Sequence, residues 1–170
     1  MQFVVEPLSR RHNRRGFSCG VEKLDYFLGK IAMQHADNGI SKSFVLVSDD
    51  NKTVIIGYFT LTICEVMVEQ LNKEDTKKLP KGHHLPAGKL ARLAVSTDHQ
   101  KRGYGKDLLI SAMKHFLLAH DQVGMSALFV DAKNDSAASF YQKYGFIQSC
   151  DDPLNLYLPT QTIKGALAQS

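Results

Sequence analysis

The segment Arg92-Leu-Ala-Val-Ser-Thr-Asp-His-Gln-Lys-Arg-Gly-Tyr-Gly-Lys106 constrains the fold more than any other stretch of the chain. Lys89 to Val95 reads as a strand. Leu108, Leu109, Ala112, Met113, Phe116 and Leu117 then recur at the spacing of a helix with one apolar side. Between them stand Gly103 and Gly105, which lack side chains and let backbone approach a ligand closely. The free N–H groups of the following helix's first turn point at the same spot, and the helix dipole favours negative charge there. Lys101, Arg102 and Lys106 add positive charge. The segment predicts a phosphate cradle built mostly of backbone.

Two familiar phosphate motifs do not fit. The NTPase loop needs glycine where Gln100 stands, and Ser or Thr where Asp107 stands. The dinucleotide fingerprint needs a third glycine at the position of Leu108. A lone Gly-x-Gly is also compatible with a simple tight turn, so the loop needs a second signal.

The remaining elements surround it in alternating order. Residues 2–5 read as a first strand, and Val21 to Asp37 as one amphipathic helix stopped by Asn38-Gly39. Phe44–Val47 and Thr53–Val68 read as strands, with Gly57 marking a bulge. Residues 69–88 are polar, contain Pro80, Gly82 and Pro86, and read as a long surface loop. Ser126–Val130 is a buried strand, Ser136–Tyr144 a helix, and Phe146–Gln148 with Leu154–Leu158 a closing hairpin. This order predicts one α/β domain, residues 1–170, around a mixed sheet.

Composition narrows the class of function. The 170 residues, 44% hydrophobic and 22% charged, suit one globular domain. No apolar run approaches the roughly 18 residues of a membrane span, and no signal core opens the chain, so the cytoplasm and no membrane are expected. Cys19, Cys64 and Cys150 are odd in number and far apart, and the seven histidines lack ligand spacing, so no metal is expected. Charge is uneven: residues 73–106 hold nine Lys/Arg against three acids, and residues 1–30 six against three. Such a distribution suits either a solvated surface or a polyanionic ligand.

The second signal is Asn134-Asp-Ser-Ala137-Ala-Ser-Phe140-Tyr141-Gln-Lys-Tyr144-Gly145-Phe146, which follows the strand ending near Asp131. Together, Gln100-x-x-Gly103-x-Gly105 and Asn134-x-x-Ala137-x-x-Phe140-Tyr141-x-x-x-Gly145-Phe146 resemble the GNAT acetyltransferases, in motif and in element order over nearly the whole chain. The resemblance implies the GNAT fold, with the sheet splayed at the strand before the glycine-rich loop, and acetyl-CoA as co-substrate. It assigns the pyrophosphate to Gln100, Lys101, Arg102, Gly103, Tyr104, Gly105 and Lys106, and the pantetheine arm to the backbone of Leu93, Ala94 and Val95. It implies direct transfer from thioester to amine, with a backbone N–H near Val95 polarising the carbonyl and the Tyr141 phenol as general acid. Asn134 is expected to meet the pantetheine or to cap the next helix. Strand Lys89–Val95 carries no carboxylate, and Glu65 and His99 are weak candidates for a base. That favours an amine already neutral near pH 7: α-amino groups titrate at about 7.7–8.0, against about 10.4 for lysine.

Further pieces resemble one branch, the tRNA-acetylating GNAT toxins of toxin–antitoxin modules. They are His12 with Phe17-Ser-Cys19-Gly20-Val-Glu-Lys-Leu24-Asp25-Tyr-Phe27-Leu28, Gly57-Tyr58-Phe59-Thr60-Leu61-Thr62, Leu79-Pro80, Leu85-Pro86-Ala87, Lys89-Leu90-Ala91-Arg92-Leu93-Ala94-Val95 and Val130-Asp131-Ala132-Lys133. Ala91 departs from the glycine that relatives often carry. The resemblance implies acetylation of the α-amino group of aminoacyl-tRNA, a ribbon-helix-helix antitoxin and a homodimer. Arg92 is the first expected tRNA phosphate contact, followed by Lys30, Lys81 and Lys89. The alternatives are a GNAT acting on a small-molecule amine or a protein N-terminus, and a binding module without activity.

Overall fold

The computed structural model describes residues 2–169. In chain order the elements are β1 (Phe3–Pro7), α1 (Glu22–Tyr26), a π-helical turn (Phe27–Ile31), α2 (Ala32–Asp37), β2 (Lys42–Ser48), β3 (Gly57–Met67), α3 (Lys73–Thr76), β4 (His84–Val95), α4 (Tyr104–His120), β5 (Ala127–Asp131), α5 (Asp135–Lys143), β6 (Ile147–Gln148), β7 (Asn155–Pro159) and α6 (Thr160–Ala168). The mixed α/β class expected from the sequence is what forms. Two compact units share the chain: Met1–Thr62 with Ala91–Ala112, and Ile63–Leu90 with Met113–Ser170. Strands β3 and β4 pass through both.

The first unit carries β1-β2-β3 and the end of β4, all neighbours in that order. β1 pairs antiparallel with β2 from Phe3↔Ser48 to Pro7↔Phe44, and β2 with β3 from Lys42↔Leu61 to Leu46↔Gly57. Alternation places Val45, Val47, Tyr58 and Ala94 in one core with Phe17, Phe27, Leu28 and Ala32. The Tyr58 phenol donates to the Leu24 carbonyl at 2.8 Å and so fixes α1. Gly57 is the last rung of the β2–β3 register, opposite Leu46, and the Ile56 N–H beside it also donates to the Leu46 carbonyl at 2.8 Å, one residue out of that register. The glycine is a close-approach site: a Cβ there would lie 2.7 Å from Leu108 Cδ1 and 2.9 Å from the Ala94 carbonyl oxygen.

The single helix expected over Val21–Asp37 is interrupted by the π-helical turn at Phe27–Ile31. Gly29 lies inside this turn, where a poor helix former lowers the cost of the irregularity. The extra residue rephases the helix, so that Phe27 and Leu28 within the turn and Ala32 after it are all buried.

In the second unit β4 and β5 run parallel over three rungs, Gly88↔Leu128 to Leu90↔Val130, while β4 itself continues to Val95. β5 pairs antiparallel with β7, and β7 with β6. Buried on both faces, β5 reads Ala-Leu-Phe-Val. Residues 69–88, expected as one loop, are more ordered than their polarity suggests. α3 lies within them, β4 begins at His84 rather than Lys89, and Leu71 and Ala87 join Val66, Ala127, Phe129 and Tyr157 in a core. The Tyr157 phenol donates to Asp75 Oδ2 at 2.7 Å and accepts the Asn72 N–H at 2.8 Å, which anchors this segment. α6 has no counterpart in the sequence-based elements. Among the described residues no helix is long and apolar enough to cross a membrane.

Candidate active site

In the first unit, β4 ends at Val95 and the chain reaches α4 through a tight loop held from behind. Ser96 N–H donates to Ile56 O, and Thr97 N–H to Ser18 O, both at 2.8 Å. Gln100 Nε2 donates to the carbonyls of Cys19 and Val95, each at 2.9 Å. Gln100 is therefore a clamp on the loop, and its side-chain amide is engaged by the protein rather than turned to a ligand. Gly103 has φ 87, a left-handed conformation that favours glycine, and a Cβ there would meet nothing within 4 Å. Lys101 has φ 64, the one non-glycine residue with positive φ among the described residues. That conformation costs about 1–2 kcal/mol and persists where flanking contacts enforce it.

The first hydrogen bond of α4 runs from Asp107 N–H to Gly103 O at 3.3 Å. The amides of Tyr104, Gly105 and Lys106 lie ahead of it, at the positive end of the helix dipole. Lys101, Arg102 and Lys106 are exposed around them. Open space at Gly103, free first-turn amides and three cations suit a diphosphate.

Leu93 and Val95 are half-buried and Ala94 is buried. Just before them, the Arg92 guanidinium sits over the Phe27 ring with its central carbon 3.5 Å from the centroid. Partial burial draws the Arg92 pKa down from its ordinary value, against the opposing effect of Tyr58. The group stays cationic all the same. Phe27, which the sequence marks as an apolar helix position within a segment that resembles the toxin branch, is thus the platform for Arg92. Lys30 is exposed on the same π-helical turn. Further along the N-terminal segment, buried His12 accepts the Ser9 N–H at Nδ1 (3.0 Å) and meets Glu6 Oε1 through Nε2 at 2.7 Å. His12 therefore holds the path of the chain after β1.

In the second unit, Asn134 caps α5: its Oδ1 accepts the Ala137 N–H at 2.9 Å. Of the two uses the sequence leaves open, the cap is realised in the fold. Tyr141, on α5, is only 8% exposed and packs edge-on against Phe140 and Phe146 at 5.2 and 5.6 Å. Burial pushes its phenol pKa up to about 12. The group is fully protonated at neutral pH and can serve as a proton donor, never as a resting base.

The basic candidates of this unit differ in kind. Lys89 Nζ lies 2.7 Å from Asp131 Oδ2, and Asn155 Nδ2 donates to the other carboxylate oxygen at 2.7 Å. Burial alone would raise Asp131, but these bonds outweigh it and hold the carboxyl below its usual value. Lys89, expected as a free phosphate contact, is therefore part of a neutralised pair. Lys81 is exposed in the turn where Gly82 N–H donates to Glu69 Oε1 at 2.9 Å. Glu65 is exposed and pairs with His84 at 3.2 Å, while His99 Nδ1 lies 3.4 Å from Ser96 Oγ. Neither contact marks a base.

Comparison with known proteins agrees with these features. A family model described as an acetyltransferase (GNAT) domain matches residues 41–148. A tRNA-acetylating toxin of Mycobacterium tuberculosis is 33% identical over 142 residues, covering 84% of this chain and 82% of its own. The structure of AtaT complexed with acetyl-methionyl-tRNAfMet superposes with a TM-score of 0.90 at 29% identity, covering 98% of this chain and 99% of that one. A mutant AtaT toxin bound to the C-terminus of the antitoxin AtaR and acetyl-CoA superposes with a TM-score of 0.83 at 26% identity, covering 98% and 99%.

Proposed function

Because the chain belongs to the GNAT acetyltransferase family, we propose that it draws on acetyl-CoA to acetylate the α-amino group of an aminoacyl-tRNA, and is the toxin of a toxin–antitoxin module that thereby stops translation. The chain is an N-acetyltransferase. The observation that carries the acceptor class is the extent of the likeness to the tRNA-bound AtaT, 98% of this chain. It includes the segment before residue 41, outside the acetyltransferase match, where the Arg92 platform Phe27 lies. A shared cofactor alone does not account for likeness there.

The cradle at Gly103–Lys106 suits the pyrophosphate of acetyl-CoA, and the Leu93–Val95 backbone its pantetheine arm. The acceptor nitrogen attacks the thioester carbonyl, and a C–N bond forms as the C–S bond breaks. Tyr141 gives its proton to the departing sulfur and regains one from solvent, and the surplus proton of the amine passes to water. With no carboxylate engaged as base, the acceptor must arrive largely neutral. An α-amino group meets that condition far better than lysine, with a pKa about 2–3 units lower. Arg92 is the leading tRNA phosphate contact, with Lys30 and Lys81 as further cations.

The same reading makes residues 1–170 one acetyltransferase domain acting in the cytoplasm as a homodimer. Its inhibitor is an antitoxin of the ribbon-helix-helix type, as the AtaR-bound relative suggests for an antitoxin in general. The test is incubation with total aminoacyl-tRNA and labelled acetyl-CoA, followed by mass spectrometry of the 3′ ends. Acetylated aminoacyl-adenosine is expected; label found only on protein or free amines would refute the acceptor assignment.

A further inference from the structure

A cavity of about 160 Å³ opens in the second unit, where the paired course of β4 and β5 ends. Their last rung is Leu90↔Val130, and the Lys89–Asp131 ion pair stands beside it. Side-chain alternation separates the two faces of the sheet there. A Cβ at Gly88 would meet Phe116 of α4, and Leu158, on the same face through Leu128, lies against Gly145 at the end of α5. The helices, Tyr141's among them, thus cover one face. The cavity lies on the other, with Cys64, Val66, Lys89 and Phe129 in its walls.

Its polar lining is already committed in part. Gln70 Oε1 accepts the Met67 N–H at 2.8 Å, which fixes the amide and leaves Nε2 as the end it offers. Lys89 Nζ uses one N–H on Asp131 at 2.7 Å and keeps two. Glu65 supplies carboxylate oxygens. Neither charge of the lining stands alone, because Lys89 meets Asp131 and Glu65 meets His84 at 3.2 Å. Donors and an acceptor in one small space, with their charges balanced, complement a neutral carboxamide. A carboxylate would bring a charge that nothing offsets, and an alkyl or thioether chain would leave these groups unpaired. We propose that the cavity receives the side chain of the acceptor's amino acid and selects glutamine or asparagine. The inference rests on the aminoacyl-tRNA reading and adds to it the amino acid favoured. The carboxamide oxygen accepts from Gln70 and Lys89, and its nitrogen donates to Glu65. The α-amino group then arrives from the cavity face, opposite the helix that carries Tyr141. Attack and protonation of the departing sulfur do not compete for one space.

The test charges two tRNA bodies in turn with glutamine, asparagine, methionine, leucine, glutamate and glycine, and measures kcat/KM for acetylation of each ester by the full chain. In the wild type, glutaminyl esters should exceed methionyl and glutamyl esters by about 10- to 100-fold, on either body, the range that one or two hydrogen bonds supply. Gln70→Glu keeps the oxygen that accepts the Met67 N–H and exchanges only the offered amino group. The glutaminyl-to-methionyl ratio should then fall to about 3 or less. Cys64→Phe fills the cavity and should lower the glutaminyl-to-glycyl ratio by about tenfold. Thermal melting confirms that each variant folds, and the wild-type series needs no variant. Equal wild-type rates for glutaminyl and methionyl esters overturn the proposal. So does a preference that folded Gln70→Glu retains, or one that follows the tRNA body when the amino acid is exchanged. If the wild type acetylates no ester on either body, the aminoacyl-tRNA reading itself falls and takes this inference with it. That outcome is distinct from acetylation without side-chain preference, which removes the inference alone.

Discussion

Arg92 and Phe27 form a stacked pair, with the guanidinium carbon 3.5 Å from the ring centroid. Phe27 is buried and Arg92 half-buried, so the charge is held in place by a ring that the core immobilises. A cation–π contact of this kind contributes about 0.5–2 kcal/mol, and the ring covers one face of the guanidinium while its edge keeps the N–H fork. A positioned fork suits a phosphate better than a mobile lysine does.

Arg92→Ala should therefore raise the KM for aminoacyl-tRNA and reduce the salt slope of tRNA binding by about 1, with acetyl-CoA affinity unchanged. Arg92→Lys should recover little, because an ammonium neither stacks as a plane nor binds phosphate through a fork. Filter binding across a salt series measures both. An unchanged slope for Arg92→Ala removes it from the phosphate contacts.

Tyr141→Phe should lower kcat by about 10²–10⁴ while acetyl-CoA binds nearly as before. The pH profile gives an independent check. With the phenol pushed up to about 12, Tyr141 stays protonated through any workable assay range. The wild-type kcat/KM should rise with pH as the acceptor amine loses its proton, level near pH ~8, and show no fall up to about pH 10. An alkaline fall centred near 9 would mean that the acid is another group.

Lys89→Ala tests the Lys89–Asp131 pair, which stands 2.7 Å apart. Because the carboxylate neutralises the ammonium, the salt slope of tRNA binding should not change, in contrast to Arg92→Ala. Stability should change instead, and in a pH-dependent way. Asp131 has a folded-state pKa below its unfolded value, so its contribution is present above the unfolded value of about 3.9 and is lost as pH falls through the lower, folded value. The stability gap between wild type and Lys89→Ala should thus be full at neutral pH and close on acidification below about pH 4. Urea titrations at several pH values read it directly, and a gap that widens in acid contradicts the pairing.

What the sequence made legible follows from period and glycine placement. The α4 stripe, the buried β5 run and the paired loop and α5 motifs all depend on local patterns. They led to the fold and to Gly103, Tyr141 and Asn134. The π-helical turn was not legible, because Phe27, Leu28, Ile31 and His35 fit an unbroken helix as well as a rephased one. Residues 69–88 misread as a loop because Leu71, Leu79 and Leu85 follow no period. Their order comes from distant partners, such as the Tyr157 phenol on Asp75. Gln100 and Lys89 were visible as motif and charge, but their engagement by Cys19, Val95 and Asp131 is tertiary.

Gly57 links stability to the cofactor strand most directly. Gly57→Ala would place a methyl 2.7 Å from Leu108 Cδ1 and 2.9 Å from the Ala94 carbonyl oxygen. Leu108 is fully buried, but its methyl can rotate; the carbonyl belongs to β4 and can move only with the strand. Overpacking of this kind costs about 1–3 kcal/mol, with a fall in Tm of about 2–4 °C per kcal/mol for a chain of this size. Shifting Ala94 should also disturb the backbone assigned to the pantetheine arm, so the KM for acetyl-CoA should rise while the salt slope of tRNA binding stays put. A double-mutant cycle with Leu108→Ala separates the two contacts. It should return only part of the loss, because the clash with the Ala94 carbonyl persists once the leucine is gone. Full recovery in the cycle would locate the whole penalty in Leu108 and would leave the strand, and the KM, untouched.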